Sequence, residues 1–199
     1  MKTAKRLALA VALAGVALTA CSPSQIGAAA IVGDKRITTT ELDADLRELQ
    51  QALSENPQAM QQLENTRQQA GATLPQLMLY RLVEAERYAQ LAERAGVTVT
   101  DGEIDSWISR QGGAEAIETA MLSGGVAPSQ SREYLRSLIA SEKLVVQRGG
   151  GTDQDAVQRG QQAVAKELEA IKVSYNPRYG AFDVQQGFLR SDRFASSGD

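Results

Sequence analysis

The sequence predicts a mainly α-helical fold with a small β element that pairs an N-terminal hairpin with a C-terminal strand. Three observations predict it. Ala, Gln, Glu, Leu and Arg are abundant while aromatic residues make up only 5% of the chain, a composition that favours helices. Thr38 with Glu41, Thr73 with Gln76 and Thr100 with Glu103 each have the Ser/Thr-x-x-Glu/Gln spacing that starts a helix. Strand-like patterns of similar quality occur at 31–37 and 172–175, and so short a terminal strand needs a partner, so the two ends of the chain are expected to meet.

Taken in order, Ala28-Ala29-Ala30-Ile31-Val32 reads as a strand, Gly33-Asp34 as a turn and Lys35 to Ile37 as the return of a hairpin. Leu42, Leu46, Leu49 and Leu53 hold one face of a helix from Thr39 to Ser54. Pro57 opens a weaker, Gln-rich helix with Met60 and Leu63 that fades near Gly71 and is a candidate mobile arm. From Thr73, a helix that is apolar nearly all round, through Leu77, Met78, Leu82, Val83, Tyr88 and Leu91, runs to Gly96 and is predicted to be central and buried.

Val97-Thr98-Val99 is an extended link, and Thr100 begins a helix with Ile104, Trp107 and Ile108 that Gly112-Gly113 breaks. A short helix covers Ala114 to Leu122, and a connector runs from Gly124 to Pro128. A longer helix from Ser129 to Arg148 carries Tyr134, Leu135, Leu138, Ile139, Leu144 and Val145. Gly149-Gly150-Gly151 is the clearest break, followed by a helix from Thr152 to Ala170, the strand Lys172 to Tyr175, and a turn from Asn176 with aromatic anchors up to Phe182.

Residues 1–20 have the layout of a lipoprotein signal peptide: Lys2, Lys5 and Arg6, an apolar run from Leu7 to Leu18, then small residues before Cys21. Twelve apolar residues span about 18 Å as a helix, too little for a bilayer core of about 30 Å. Cys21 is the only cysteine and is the predicted lipidation site, where acyl chains added to it and to the new amino terminus give stable anchoring. The expected location is the extracytoplasmic face of the cell membrane. Residues 21–27 then form a lipid-anchored tether, 28–190 a single helical domain and 191–199 a disordered tail.

The chain has no histidine and, once Cys21 is lipidated, no thiol. That excludes Ser-His-Asp triads, Cys-His pairs, histidine and thiolate zinc sites, and a disulfide framework. Glycine-rich phosphate loops and EF-hand spacing are also missing from the sequence, so no cofactor or metal is expected. Asp101, Glu103 and Asp105 read as first-turn acids complementing a helix dipole rather than as a metal cluster. The net charge of −3 includes three cations of the signal, so the mature part is more acidic still and nucleic-acid binding is not expected.

Ala30-Ile31-Val32-Gly33-Asp34-Lys35-Arg36-Ile37-Thr38 running into Glu41-Leu42 resembles the opening of SurA/PrsA-type extracytoplasmic chaperones, and Ala95 to Asp105 resembles their link into the next helix. The Gly112-Gly113, Tyr134-Leu135-Arg136 and Glu142-Lys143-Leu144 stretches are similar too. Asn176-Pro177-Arg178-Tyr179-Gly180 is similar to the ending of actinobacterial lipoproteins with this N-terminal domain. The resemblance implies a SurA N-terminal-like helical domain and a chaperone role. Such chaperones commonly insert a parvulin-type isomerase domain after the long helix. Here three glycines and one helix stand in its place, and the histidines usual in that domain are missing, so no isomerase activity is carried over and the chain is read as a non-enzyme.

The expected function is thus binding of unfolded exported polypeptides at the membrane surface, through apolar and aromatic side chains presented between helices. Met60, Met78, Tyr80, Tyr88, Trp107, Met121 and Tyr134 are the candidate polypeptide-binding residues; all of them also sit at spacings that suit core packing. Arg178 and Tyr179 read as structural, tying the last turn to the body. The alternative is a structural or adaptor lipoprotein that binds one specific folded envelope protein, and a swapped dimer is open in either case.

Overall fold

The computed structural model describes residues 26–183 and 187–188. Cys21 and the signal, the first part of the tether and the expected tail at 191–199 lie outside the described residues. Strand β1 (Ala28–Val32) turns through Gly33-Asp34 into β2 (Lys35–Thr38), and the sheet is completed by β3 (Val173–Tyr175), in the order β2-β1-β3 with both pairings antiparallel. The two ends of the chain therefore meet: Ile31 pairs with Ser174 and Val32 with Val173. Gly33 takes φ +60°, a conformation that costs glycine little, and Val32 then faces Lys35 across a two-residue connection. A bulge between Ala28 and Ala30 accommodates the turn from Gly27, whose carbonyl accepts from Thr39 N at 2.9 Å.

Seven helices follow the hairpin: α1 (Thr39–Glu55), α2 (Pro57–Ala70), α3 (Leu74–Arg94), α4 (Asp101–Arg110), α5 (Ala114–Ser123), α6 (Pro128–Gly149) and α7 (Gln154–Glu169). All three expected capping boxes form, with Thr38, Thr73 and Thr100 as N-caps. Helix α3 ends as its glycine predicts: Gly96 N donates to Glu93 O and Val97 N to Ala92 O, the paired bonds of a Schellman motif. Helix α7 starts at Gln154 rather than Thr152, because the Asp153 side chain accepts from Ala156 N at 3.0 Å and so fixes the N-cap there.

The main core gathers Ala29, Ala30 and Val32 of β1 with Leu42, Leu49, Met78, Leu79, Val83, Leu144 and Val164, all buried. Helix α3 is its centre, as its all-round apolar pattern requires. The Gln-rich α2, a candidate mobile arm in the sequence, is instead docked: Ala59 and Leu63 are buried in the main core, and Asn56 both caps α2 and donates to Thr119 of α5. Among the described residues no helix is long and apolar enough to cross a membrane.

The C-terminal segment is tied down by hydrogen bonds that main-chain carbonyls accept. Asn176 N donates to Ala29 O, Asn176 Nδ2 to Ala28 O, and Gln76 Nε2 of α3 to Tyr179 O, at 2.7 to 2.9 Å. Pro177–Tyr179 forms a 3-10 turn with Asn176 as its cap. Arg178 lies 5.9 Å from the Tyr179 ring centroid. Two short strands, β4 (Phe182–Asp183) and β5 (Gly187–Phe188), then pair with each other.

Candidate functional site

A second, smaller apolar cluster lies apart from the main core. Ile104 of α4, Ile117 and Met121 of α5, Val126 of the following link, and Leu135 and Ile139 of α6 are buried in it. Trp107, Ile108, Tyr134 and Leu138 pack around it half-buried. A cluster with six buried members and five partly exposed ones, Val99 being the fifth, is incompletely covered, and such apolar surface marks interaction sites. Between α4 and α6 a cleft of about 520 Å³ opens beside it, with Trp107 and Ile139 in its walls and the Glu103–Lys143 pair among its polar lining.

Polar contacts hold α4 across that cleft. Arg132 and Arg136, one helical turn apart on α6, both reach Asp101, at 3.2 and 3.0 Å, and Arg132 also reaches Asp105 at 3.0 Å. Arg136 further donates to Val99 O, and Lys143 to Thr98 O and to Glu103. The Lys143 ammonium, together with the Thr100 amide, holds the Glu103 carboxyl down at about 2. The three acids that the sequence places in the first turns of α4 thus also bind the neighbouring helix.

Aromatic side chains form a separate group along α3. Tyr80, Tyr88 and Tyr175 lie near Glu84, which pairs with Arg87 at 2.7 Å; Tyr134 neighbours Tyr80 and Tyr88, and Arg81 donates to its hydroxyl at 3.4 Å. Burial raises the Tyr80, Tyr88 and Tyr175 hydroxyls above the ordinary phenol value, and Glu84 pushes the same way. Phe182 and Phe188 extend the group, with ring centroids 4.5 and 5.2 Å from Tyr175, and Phe182 stacks 6.0 Å from Tyr80. Half-buried tyrosines give large rigid contact areas with a polar tip, the chemistry of adaptable peptide recognition.

Of the candidates read from the sequence, Tyr80 joins the aromatic group of Tyr175, Phe182 and Phe188, Tyr88 packs on the main core, and Tyr134 and Trp107 pack on the smaller cluster. Tyr134 links the two regions, its ring on the smaller cluster and its hydroxyl toward α3. Met60 is 52% exposed on α2. Met78 and Met121 leave the list of surface residues: Met78 is 1% exposed in the main core and Met121 is 7% exposed within the smaller cluster, where the apolar faces of their helices must pack. Tyr179 is held structurally through its carbonyl, as expected.

The sequence reading missed Phe188 and the ion-pair clasp. A signal for the clasp existed, since Asp101 with Asp105 and Arg132 with Arg136 are both i, i+4 rows of opposite charge. Nothing in a single sequence says that those two helices are neighbours.

Comparison with curated proteins and with solved structures gives no match. A family model described as a SurA-like N-terminal domain matches residues 4–145, a span that takes in the hairpin, α1 to α5 and most of α6. The chain belongs to the family of SurA-like N-terminal domains, a family of chaperone type.

Proposed function

We propose that this protein is a membrane-anchored, extracytoplasmic chaperone-like lipoprotein that holds unfolded exported polypeptides without covalent chemistry and without isomerase activity. The observation that carries the reading is the half-covered apolar cluster of α4, α5 and α6, fringed by Trp107, Ile108, Tyr134 and Leu138. Family membership supports it. Such a surface offers many weak, non-directional contacts to an extended apolar segment, and its aromatic rings tolerate varied side chains. The anchor rests on the signal-like residues 1–20 and on Cys21, which would hold the clefts close to the membrane where exported chains emerge.

Light scattering of an aggregating unfolded protein, with and without this chain and with an inert protein of similar size as control, tests the holding activity. Dose-dependent suppression across unrelated clients is the expected result. No suppression at several-fold molar excess overturns it and leaves the adaptor for one folded envelope protein as the better reading. Metabolic labelling with a radioactive fatty acid tests the anchor, with Cys21→Ser expected to abolish incorporation.

A further inference from the structure

Helix α4 is short and lightly attached to the body. Its links carry glycines at positive φ, as do those of α3, α5 and α6: Gly96 at +66° before it, and Gly112 and Gly113 at +100° and +90° after it. An added Cβ at Gly96 or Gly113 would meet nothing within 4 Å, so these positions are glycine for backbone freedom rather than for close packing. Only Ile104 of α4 is fully buried.

What α4 lacks in buried area it makes up in charge. Asp101, Glu103 and Asp105 meet Arg132, Arg136 and Lys143, and every one of these six side chains keeps between 31% and 68% of its exposure. Exposed ion pairs contribute little singly and are screened by salt. Beside the Glu103–Lys143 pair the packing is incomplete, since a cleft of about 520 Å³ opens between α4 and α6 along Trp107 and Ile139.

We propose that α4 is a hinged flap, clasped to α6 by these exposed ion pairs, whose release opens the smaller apolar cluster to an extended apolar segment of a client. Swinging on its glycines, α4 would uncover Ile104 and Trp107 on its own inner face and Leu135, Ile139 and Met121 beneath it, turning a half-covered cluster into a continuous apolar strip. The client half of this proposal rests on the chaperone reading above. The hinge half does not.

Hydrogen exchange followed by mass spectrometry on the full chain tests the hinge, comparing the wild type with Arg132→Gln/Arg136→Gln and, as a control of the same charge change at exposed positions on other helices, Arg47→Gln/Lys166→Gln. Exchange over residues 99–112 is expected to rise about tenfold in the double variant, as for any locally opening unit, while α3 and the main-core half of α6 keep their protection. Raising NaCl from about 50 to about 500 mM should produce the same local rise in the wild type, which needs no mutation to fold. Fluorescence anisotropy of labelled, reduced and carboxymethylated α-lactalbumin then reads the client half, with affinity expected to tighten several-fold when the clasp is broken.

Unchanged exchange at 99–112 under both treatments, or a rise spread equally over α3, overturns the flap. Local opening with unchanged client affinity overturns the gating. Local opening with no client binding by any form overturns the chaperone reading and leaves the flap standing.

Discussion

Gly149 of α6 and Gly160 of α7 face each other where the main chains of the two helices touch. A Cβ added to Gly149 would lie 2.0 Å from Ala156 O, and one added to Gly160 would lie 2.1 Å from Val145 O. Both glycines are buried, and the main chains pack against each other with no side chain between them. Gly149→Ala or Gly160→Ala should therefore force the helices apart. The expected loss is about 2 kcal/mol or more, read as a fall in Tm of about 2–4 °C per kcal/mol for a chain of this size. An unchanged Tm would show that the crossing is looser than described.

Asp45 is a buried carboxylate with one poor partner. It is 6% exposed, its Oδ1 accepts from Gln130 Nε2 at 3.4 Å and its Oδ2 has no hydrogen-bond partner. Burial raises its pKa above the ordinary 3.8, and Glu48 and Glu41 push the same way. The folded state thus binds this proton more tightly than the unfolded chain does, so the ionised residue destabilises the fold at neutral pH. That penalty is relieved as pH falls through the raised value toward 3.8. Asp45→Asn should stabilise the chain at pH 7 by about 1 kcal/mol, measured by urea denaturation, and the gain should shrink in mild acid.

Glu103 has the opposite sign. Its pKa of about 2 means that its contribution is present above the ordinary 4.5 and is lost as pH falls from 4.5 toward 2. Glu103→Gln keeps the capping-box geometry at this position and removes the charge that Lys143 meets. The variant should show a shallower fall in stability between those pH values than the wild type, by urea midpoint.

Asn176 joins the end of the chain to its beginning through its amide N–H, its side-chain Nδ2 and its Oδ1, which accepts from Arg178 N at 3.1 Å. Replacing it with Ala strands the Ala28 carbonyl and removes the cap of the 3-10 turn. A loss of about 1–2 kcal/mol is expected, with amide exchange rising first over residues 173–180.

Trp107 and Met78 should separate function from stability. Met78→Ala opens a cavity in the main core and should cost about 2–5 kcal/mol by denaturant titration. Trp107→Ala, at the rim of the smaller cluster, should reduce suppression of client aggregation by several-fold while moving Tm far less.

The helices were legible because their signals are local. Thr38, Thr73 and Thr100 each carry their capping partner three residues on, and Gly96 marks an end within one turn, so a window of a few residues contains the whole physical cause. The pairing of β1 with β3 was legible for a different reason: a short terminal strand needs a partner, and the N-terminal hairpin was the other strand of similar quality. The site was legible only in its residue types. That Tyr80 stacks on Phe182 and that Arg81 reaches Tyr134 depends on how α3 sits against the C-terminal segment and α6, which no periodicity encodes. The burial of Met78 and Met121 was equally out of reach, since an apolar residue at helical spacing looks the same whether its face meets another helix or solvent.

The placement of β1 between β2 and β3 also sets a timetable. The hairpin is made before the seven helices and β3 after them, so Ile31 waits for Ser174 through the synthesis of everything between them. Until then the sheet has an open side and the main core lacks Leu168, Ile171 and the residues that follow. Closing so long a loop adds little extra free-energy cost over a shorter one, yet long-range pairing slows folding. A chain arranged this way keeps its sheet and its main core unfinished until β3 has been made.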